Sequence, residues 1–305
     1  MPILTNQVGI NIAKHAMQLV EISQKENKIY LENVDEEFFD EALEANLKET
    51  KFIHILQNAY NEIVLRNPLK TTNVLLSLPL SFFKTFEVPV DKNLTKNDLN
   101  DYTLWEFSKL FPAENKSEFY FQKIFLETPD YLSYKRELVF AINKDLLKRF
   151  YKFCVRNNLQ LKTADISHLA SNSILFYNNK KSNGISVLIE DTKISAMVFN
   201  QTNLVFSKTK NLNAISEVPI FIKDILLEIE KRNLKREKIE KLFLFGAKIS
   251  NELLINIESS LNISSTIIEP FNELKLDIAH LNERLSIGNL TKYSSALGMA
   301  LRLVS

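Results

Sequence analysis

With 305 residues, 45% hydrophobic and 25% charged, the chain is long enough for two packed domains and has the balance of an ordinary globular protein, which excludes disordered and fibrous classes. A formal net charge of +1, with basic and acidic residues interspersed, leaves no basic stripe for a phosphate backbone, so nucleic acid is not an expected partner. The single cysteine, Cys154, excludes an internal disulfide or a cysteine zinc cluster. It points to the cytoplasm, and with no signal-peptide pattern and no apolar run near the ~20 residues that span a bilayer, direct membrane insertion is not expected.

Val8, Ile10 and Ile12 alternate as a strand does, "AMQLVEIS" supplies a second strand and "KIYLENV" a third, an antiparallel meander. Phe52, Ile53, Leu56, Tyr60, Ile63 and Val64 then recur at helical spacing until Asn67-Pro68, and "NVLLSLP" is a nearly continuous apolar run suited to a buried strand. Further on, Thr95 with Asp98 three residues later has capping-box spacing ahead of "NDLNDYTLWEFSKLF", which Pro112 ends. Two strand-like runs, "SEFYFQKIF" and "RELVFAIN", precede a helix, "KDLLKRFYKFCVRNNL", and a short extended stretch, "QLKTADI". Residues 84–164 are therefore read as a small α+β subdomain inserted into a first half formed by residues 1–83. A helix capped by Asp165 returns the chain to that half over residues 165–182.

From Gly184 to Leu212 a second meander follows, with a turn at Gln201 to Asn203. An amphipathic helix carries Ile222, Ile225, Leu226 and Ile229, and "KLFLFGAK" is again a buried strand. Residues 183–305 so repeat the order of the first half, closing on a terminal helix with Leu297, Leu301 and Val304 inward. The expected class is α/β: a duplicated, RNase H-like, actin-like fold with two halves around a cleft, the usual place for a ligand.

Taken in order, "VGINIAKHAMQLVEI", "LLSLPLSFFKTFEVP", "LWEFSKLFPAENKSEFYFQKIF", "NNLQLKTADISHLA", "LFLFGAKISNELLINIESSLNISSTIIEPF" and "SSALGMALRLV" cover nearly the whole chain and resemble the type IV pilus assembly protein PilM family, itself related to the cell-division protein FtsA. The resemblance implies a cytoplasmic adaptor, peripheral at the inner membrane through a protein partner. That partner would be a PilN-like protein whose N-terminal peptide docks between the first half and the inserted subdomain. Other pilus machine components and self-association are further implied contacts. An apolar groove for such a peptide is expected from Leu80, Phe82, Phe83, Trp105 and Phe111. An ATP-dependent switch and an FtsA-like polymer remain alternatives.

The resemblance also implies ATP and magnesium, but the motifs depart from it. Where the family's first phosphate loop has Asp and Gly, this chain has Asn11 and Ala13; Lys14 is either a phosphate partner or a solvated turn lysine. The second loop offers Glu190, Asp191 and Thr192 without a glycine, and the adenosine platform keeps Gly246 but has Ala247 next. Only five glycines occur in the whole chain. The expectation is an ATPase fold that no longer hydrolyses ATP, with no catalytic residue, no metal site and no cofactor. Histidines 15, 54, 168 and 280 lack metal-ligand spacing, and Cys154 lies among apolar helix residues; structural roles are the expectation for all of them.

Overall fold

The computed structural model describes residues 5–25, 28–128, 132–177, 183–232, 239–276 and 289–302. The first meander is formed by β1 (Thr5–Ile12), β2 (Ala16–Lys25) and β3 (Lys28–Phe38), each antiparallel to the next. Helix α1 (Glu49–Arg66) crosses over, burying Phe52, Ile53, Leu56, Ala59, Tyr60 and Ile63 on one face, and ends at Asn67 as Pro68 dictates. It delivers β4 (Asn73–Leu78) parallel to β1, in the continuously apolar form of a strand covered on both faces. The second meander repeats this plan. Strands β9 (Gly184–Ile189), β10 (Lys193–Asn200) and β11 (Asn203–Asn211) are followed by α5 (Val218–Lys231) and by β12 (Lys241–Gly246), which runs parallel to β9.

Between β4 and its next parallel neighbour lie β5 (Phe83–Asp91), α2 (Lys96–Leu110), β6 (Phe119–Leu126), β7 (Tyr134–Asn143) and α3 (Lys144–Arg156). Thr95 caps α2 by accepting from the Asp98 N–H at 3.3 Å, as its spacing predicts. Strands β5, β7 and β6 form a sheet of their own, and α2 closes it through Phe107, whose ring lies 5.0 Å from Phe119 and 5.1 Å from Phe111 and Phe121.

Two pieces that the sequence reading placed in the insertion pair elsewhere. The stretch "QLKTADI" is β8 (Gln160–Ile166), bonded parallel to β4 in the first sheet. Helix α3 packs on α1, with Phe150 edge-on to Phe52 at 5.2 Å and Phe153 to Tyr60 at 5.8 Å. The second copy explains why: there a single helix, α6 (Asn251–Leu261), joins β12 to its parallel neighbour β13 (Ser265–Ile267), so α3 is the counterpart of α6. The chain inserted into the repeat is then the three-stranded sheet with α2.

Helix α4 (Ser167–Phe176) follows β8 without the expected cap. Asp165 accepts from its neighbour Ile166 N–H at 2.7 Å and forms an ion pair with Arg302, so its carboxylate faces away from the first turn of α4. Tyr177 is the last described residue of that return segment, and 178–182 lie outside the described residues. The last helix, α7 (Ser294–Leu301), packs on β1, β2 and β4 and crosses α4, so the C-terminal end of the second half is built onto the first sheet. A two-residue strand, β14 (Lys275–Leu276), likewise joins β3. Leu297 and Leu301 point inward as expected, whereas Val304 lies outside the described residues. Among the described residues no helix is long and apolar enough to cross a membrane.

The α4–α7 crossing is close because its contacts are small: Ala170, Ser171, Ser295 and Gly298. A Cβ at Gly298 would sit 1.8 Å from the Ala170 carbonyl oxygen, a backbone atom that cannot swing aside. Gly298→Ala is therefore expected to lower stability by about 1–3 kcal/mol or more in urea denaturation, as overpacked cores do; an unchanged midpoint would show that the crossing relaxes freely.

Candidate functional site

Four segments meet where the two sheets face each other: the β1–β2 link, the β9–β10 link, the end of β12 and a 3-10 turn at Leu290–Tyr293. They bring together Asn11, Ala13, Lys14, Glu190, Asp191, Thr192, Gly246 and Ala247 around one cavity, along with Ser81, Lys248 and Lys292. The cavity measures about 60 Å³, against roughly 300 Å³ at the small end of ligand pockets.

Its own side chains occupy the space and the charge. Asn11 donates to Gln18 Oε1 at 2.6 Å, Gln18 donates to Glu36 at 2.9 Å, and Lys292 pairs closely with Glu36. Asn11, Gln18 and Glu36 stand in register across β1, β2 and β3. Lys14 pairs with Glu44 at 3.3 Å, and Lys248 with Asp191 at 3.3 Å. Asn289 donates to the Ile249 carbonyl at 2.8 Å, and the Thr291 hydroxyl donates to the Gly246 carbonyl. Gly246 itself has φ +124°, and a Cβ there would meet the Ile189 carbonyl oxygen at 2.1 Å, so the backbone bend alone requires glycine.

Glu190 sits at the centre of this arrangement. From the end of β9 its carboxylate accepts from the Leu80 N–H at 3.0 Å and from the Ser167 hydroxyl at 2.5 Å, both on the other half. Burial is the largest influence on it and pushes its pKa up to about 7, against the pull of those two hydrogen bonds. The residues so arranged do not fit a magnesium nucleotide: about 60 Å³ is open, Lys14, Lys248 and Lys292 each already hold a carboxylate, and Glu190 is turned to protein donors.

A second, larger cleft of about 870 Å³ opens between the first half, the inserted sheet and the second meander. Phe82, Phe83, Phe111 and Phe119 line it, all but Phe111 largely buried, with Lys84, Arg149 and Lys193 among its cations. Lys84 is held by Glu114 at 2.8 Å and lies 5.0 Å from the Phe111 ring, and Arg149 donates to the Leu47 carbonyl at 2.8 Å. Burial lowers the pKa of Lys193; Glu190 opposes that shift and Lys84 adds to it. Of the expected groove residues, Phe82, Phe83 and Phe111 line this cleft and two do not. Leu80 is 2% exposed and points into the core. Trp105 is 47% exposed on the outer face of α2, stacked on Tyr102 at 5.7 Å with Lys109 Nζ 3.4 Å from its ring centroid.

His168 is fully enclosed between the halves, its Nδ1 2.8 Å from Ser195 Oγ and its Nε2 3.0 Å from Ser186 Oγ, and burial pushes its pKa down to about 3. Cys154 is buried, and burial pushes its pKa up to about 12, an inert thiol. His280 lies outside the described residues. Sequence reasoning missed Gln18, Glu36, Asn289 and Thr291. A buried-strand run interrupted by Gln18 was the one local signal.

A carboxyl whose pKa rises on folding stabilises the fold while protonated; for Glu190 that contribution is complete below 4.5 and is lost as pH rises through about 7. Glu190→Gln keeps an acceptor and cannot ionise. Urea denaturation of both proteins between pH 5 and 8 is expected to show the wild type losing on the order of 1–3 kcal/mol relative to the variant; parallel pH profiles would contradict the assignment.

No family model matches the chain, and no curated protein sequence matches it. Solved structures do. The chain is similar to a structure described as the PilM-PilN type IV pilus biogenesis complex, with 15% identity, 98% of each chain covered and a TM-score of 0.75. It is also similar to the ethanolamine utilization protein EutJ from Carboxydothermus hydrogenoformans, with 9% identity, 97% of this chain and 89% of that chain covered and a TM-score of 0.52. At these identities the likeness is one of fold: the chain has the actin-like ATPase fold.

Proposed function

We propose that this protein is a PilM-like adaptor of a type IV pilus or related secretion machine, docking the cytoplasmic N-terminal peptide of a PilN-like inner-membrane partner in the larger cleft. The observation that carries the reading is the contrast between the two clefts. Where an actin-like ATPase would hold nucleotide, about 60 Å³ remains among paired charges, while an aromatic-lined cleft of about 870 Å³ lies open beside the inserted sheet. A structure described as a complex of PilM with PilN is similar over 98% of the chain, which supports the choice of partner class.

In this reading the protein is a pseudo-ATPase, reaches the inner membrane from the cytoplasm through its partner, and passes contact on to the rest of the machine. An extended peptide supplies main-chain hydrogen bonds and a few apolar anchors, and rings such as Phe83 and Phe111 are suited to receive the anchors. Fluorescence anisotropy of the labelled partner peptide tests it. Thr85→Trp fills the cleft from its wall and is expected to weaken binding at least tenfold with little change in melting temperature, whereas Trp105→Ala, outside the cleft, leaves affinity unchanged. Unaltered binding by Thr85→Trp, or its loss in Trp105→Ala, would move the docking site elsewhere.

A further inference from the structure

The two clefts share a wall. Residues 79–83 run from the small cleft, which Pro79 lines, to the large one, which Phe82 and Phe83 line, and Ser81 faces both. Leu80–Phe82 is a single 3-10 turn, closed by Phe82 N–H donating to the Pro79 carbonyl at 3.0 Å and by Phe83 N–H donating to the Leu80 carbonyl. Such a short turn has poor internal hydrogen-bond geometry and needs an outside partner. That partner is Glu190, which accepts from the Leu80 N–H with both oxygens, at 3.0 and 3.3 Å, and holds the Ser167 hydroxyl with one of them. The other end of the same β9–β10 link, closed by Glu190 N–H donating to the Lys193 carbonyl at 2.9 Å, sends Lys193 into the large cleft.

We infer that Glu190 is a positioning residue for the docking cleft: its carboxyl group fixes the 79–83 turn, and so the Ser81–Phe83 wall. The inference rests on the proposed reading of the larger cleft only for its functional meaning. Burial raises the pKa of Glu190 in the closed arrangement and opening admits water to it, so the turn is held most firmly while Glu190 is protonated. The charged groups acting on it are Asp191 and Lys193 on its own link; Lys14, Lys248 and Lys292, on the other elements that line the small cleft, are each paired with an acid.

Residue-resolved amide hydrogen exchange of the full chain, without any partner, tests this between pH 6 and 8.5 after correction for intrinsic rates. In the wild type, protection at Leu80, Phe82 and Phe83 is expected to fall as pH rises through about 7. Glu190→Ala is expected to speed exchange at these amides at least tenfold while β4 and β9 keep their protection. Glu190→Gln is expected to restore much of the protection and to remove its pH dependence. Unchanged exchange at residues 80–83 in Glu190→Ala would overturn the inference, as would a loss of protection spread evenly over both sheets, the mark of a merely structural residue. Because no peptide is present, failure here leaves the adaptor reading to its own binding test, and failure of that test leaves this result standing.

Discussion

A carboxylate carried on one half of the molecule and satisfied by donors on the other is the constraint around which the cleft is arranged. Glu190 leaves the end of β9, crosses the gap and takes the Leu80 N–H and the Ser167 hydroxyl. A fold of two facing sheets leaves strand ends, loop amides and charged side chains crowded at its centre, and such groups are costly unless paired. Ligand-binding members of such a fold class can leave that pairing to the ligand. Here the chain provides most of it: Asn11, Gln18, Glu36 and Lys292 form one continuous network in which Asn11 Oδ1 keeps no hydrogen-bond partner among the described residues, while Lys14 and Lys248 each have an acid of their own. Removing Gln18 strands both Asn11 and Glu36, so that network acts as a unit, whereas the part-exposed Lys14 and Lys248 pairs stand apart from it.

Separate contacts tie the inserted sheet to the second half. Glu87 on β5 receives Arg136 at 3.1 Å and Arg232, at the end of α5, at 2.9 Å, and Arg232 lies 4.5 Å from the Phe206 ring. Asn200 and Asn203 donate to Glu127 at 2.5 and 2.9 Å, and Glu127 N–H donates to the Leu204 carbonyl at 2.8 Å. The larger cleft is thus bounded by three separately anchored pieces. Its width is set by side chains far apart in sequence.

Local pattern explains which features were legible from sequence. The two meanders, α1 with its stop at Pro68 and the Thr95 cap are written in nearest-neighbour terms, alternation, helical spacing and capping, so they could be read directly. The place of β8 could not, because "QLKTADI" has the same extended pattern whichever sheet it joins, and only the parallel repeat shows that it pairs with β4. Asp165 looked like a cap because its type and position suit one; Arg302, 137 residues away, supplies its ion pair. The convergence of Asn11, Glu190 and Gly246 was readable through resemblance, whereas Gln18, Asn289 and Thr291, which close the cavity, carry no motif. Trp105 was placed by its aromatic character, and its outward rotation on α2 follows from Phe107 taking the core position.

The account stands most directly on whether the small cleft is closed by its own charges. Calorimetric titration of the folded protein with ATP, with and without magnesium, measures that. The account predicts no heat of binding in either case; magnesium-dependent saturable binding would contradict it and would return the nucleotide to the centre of the molecule.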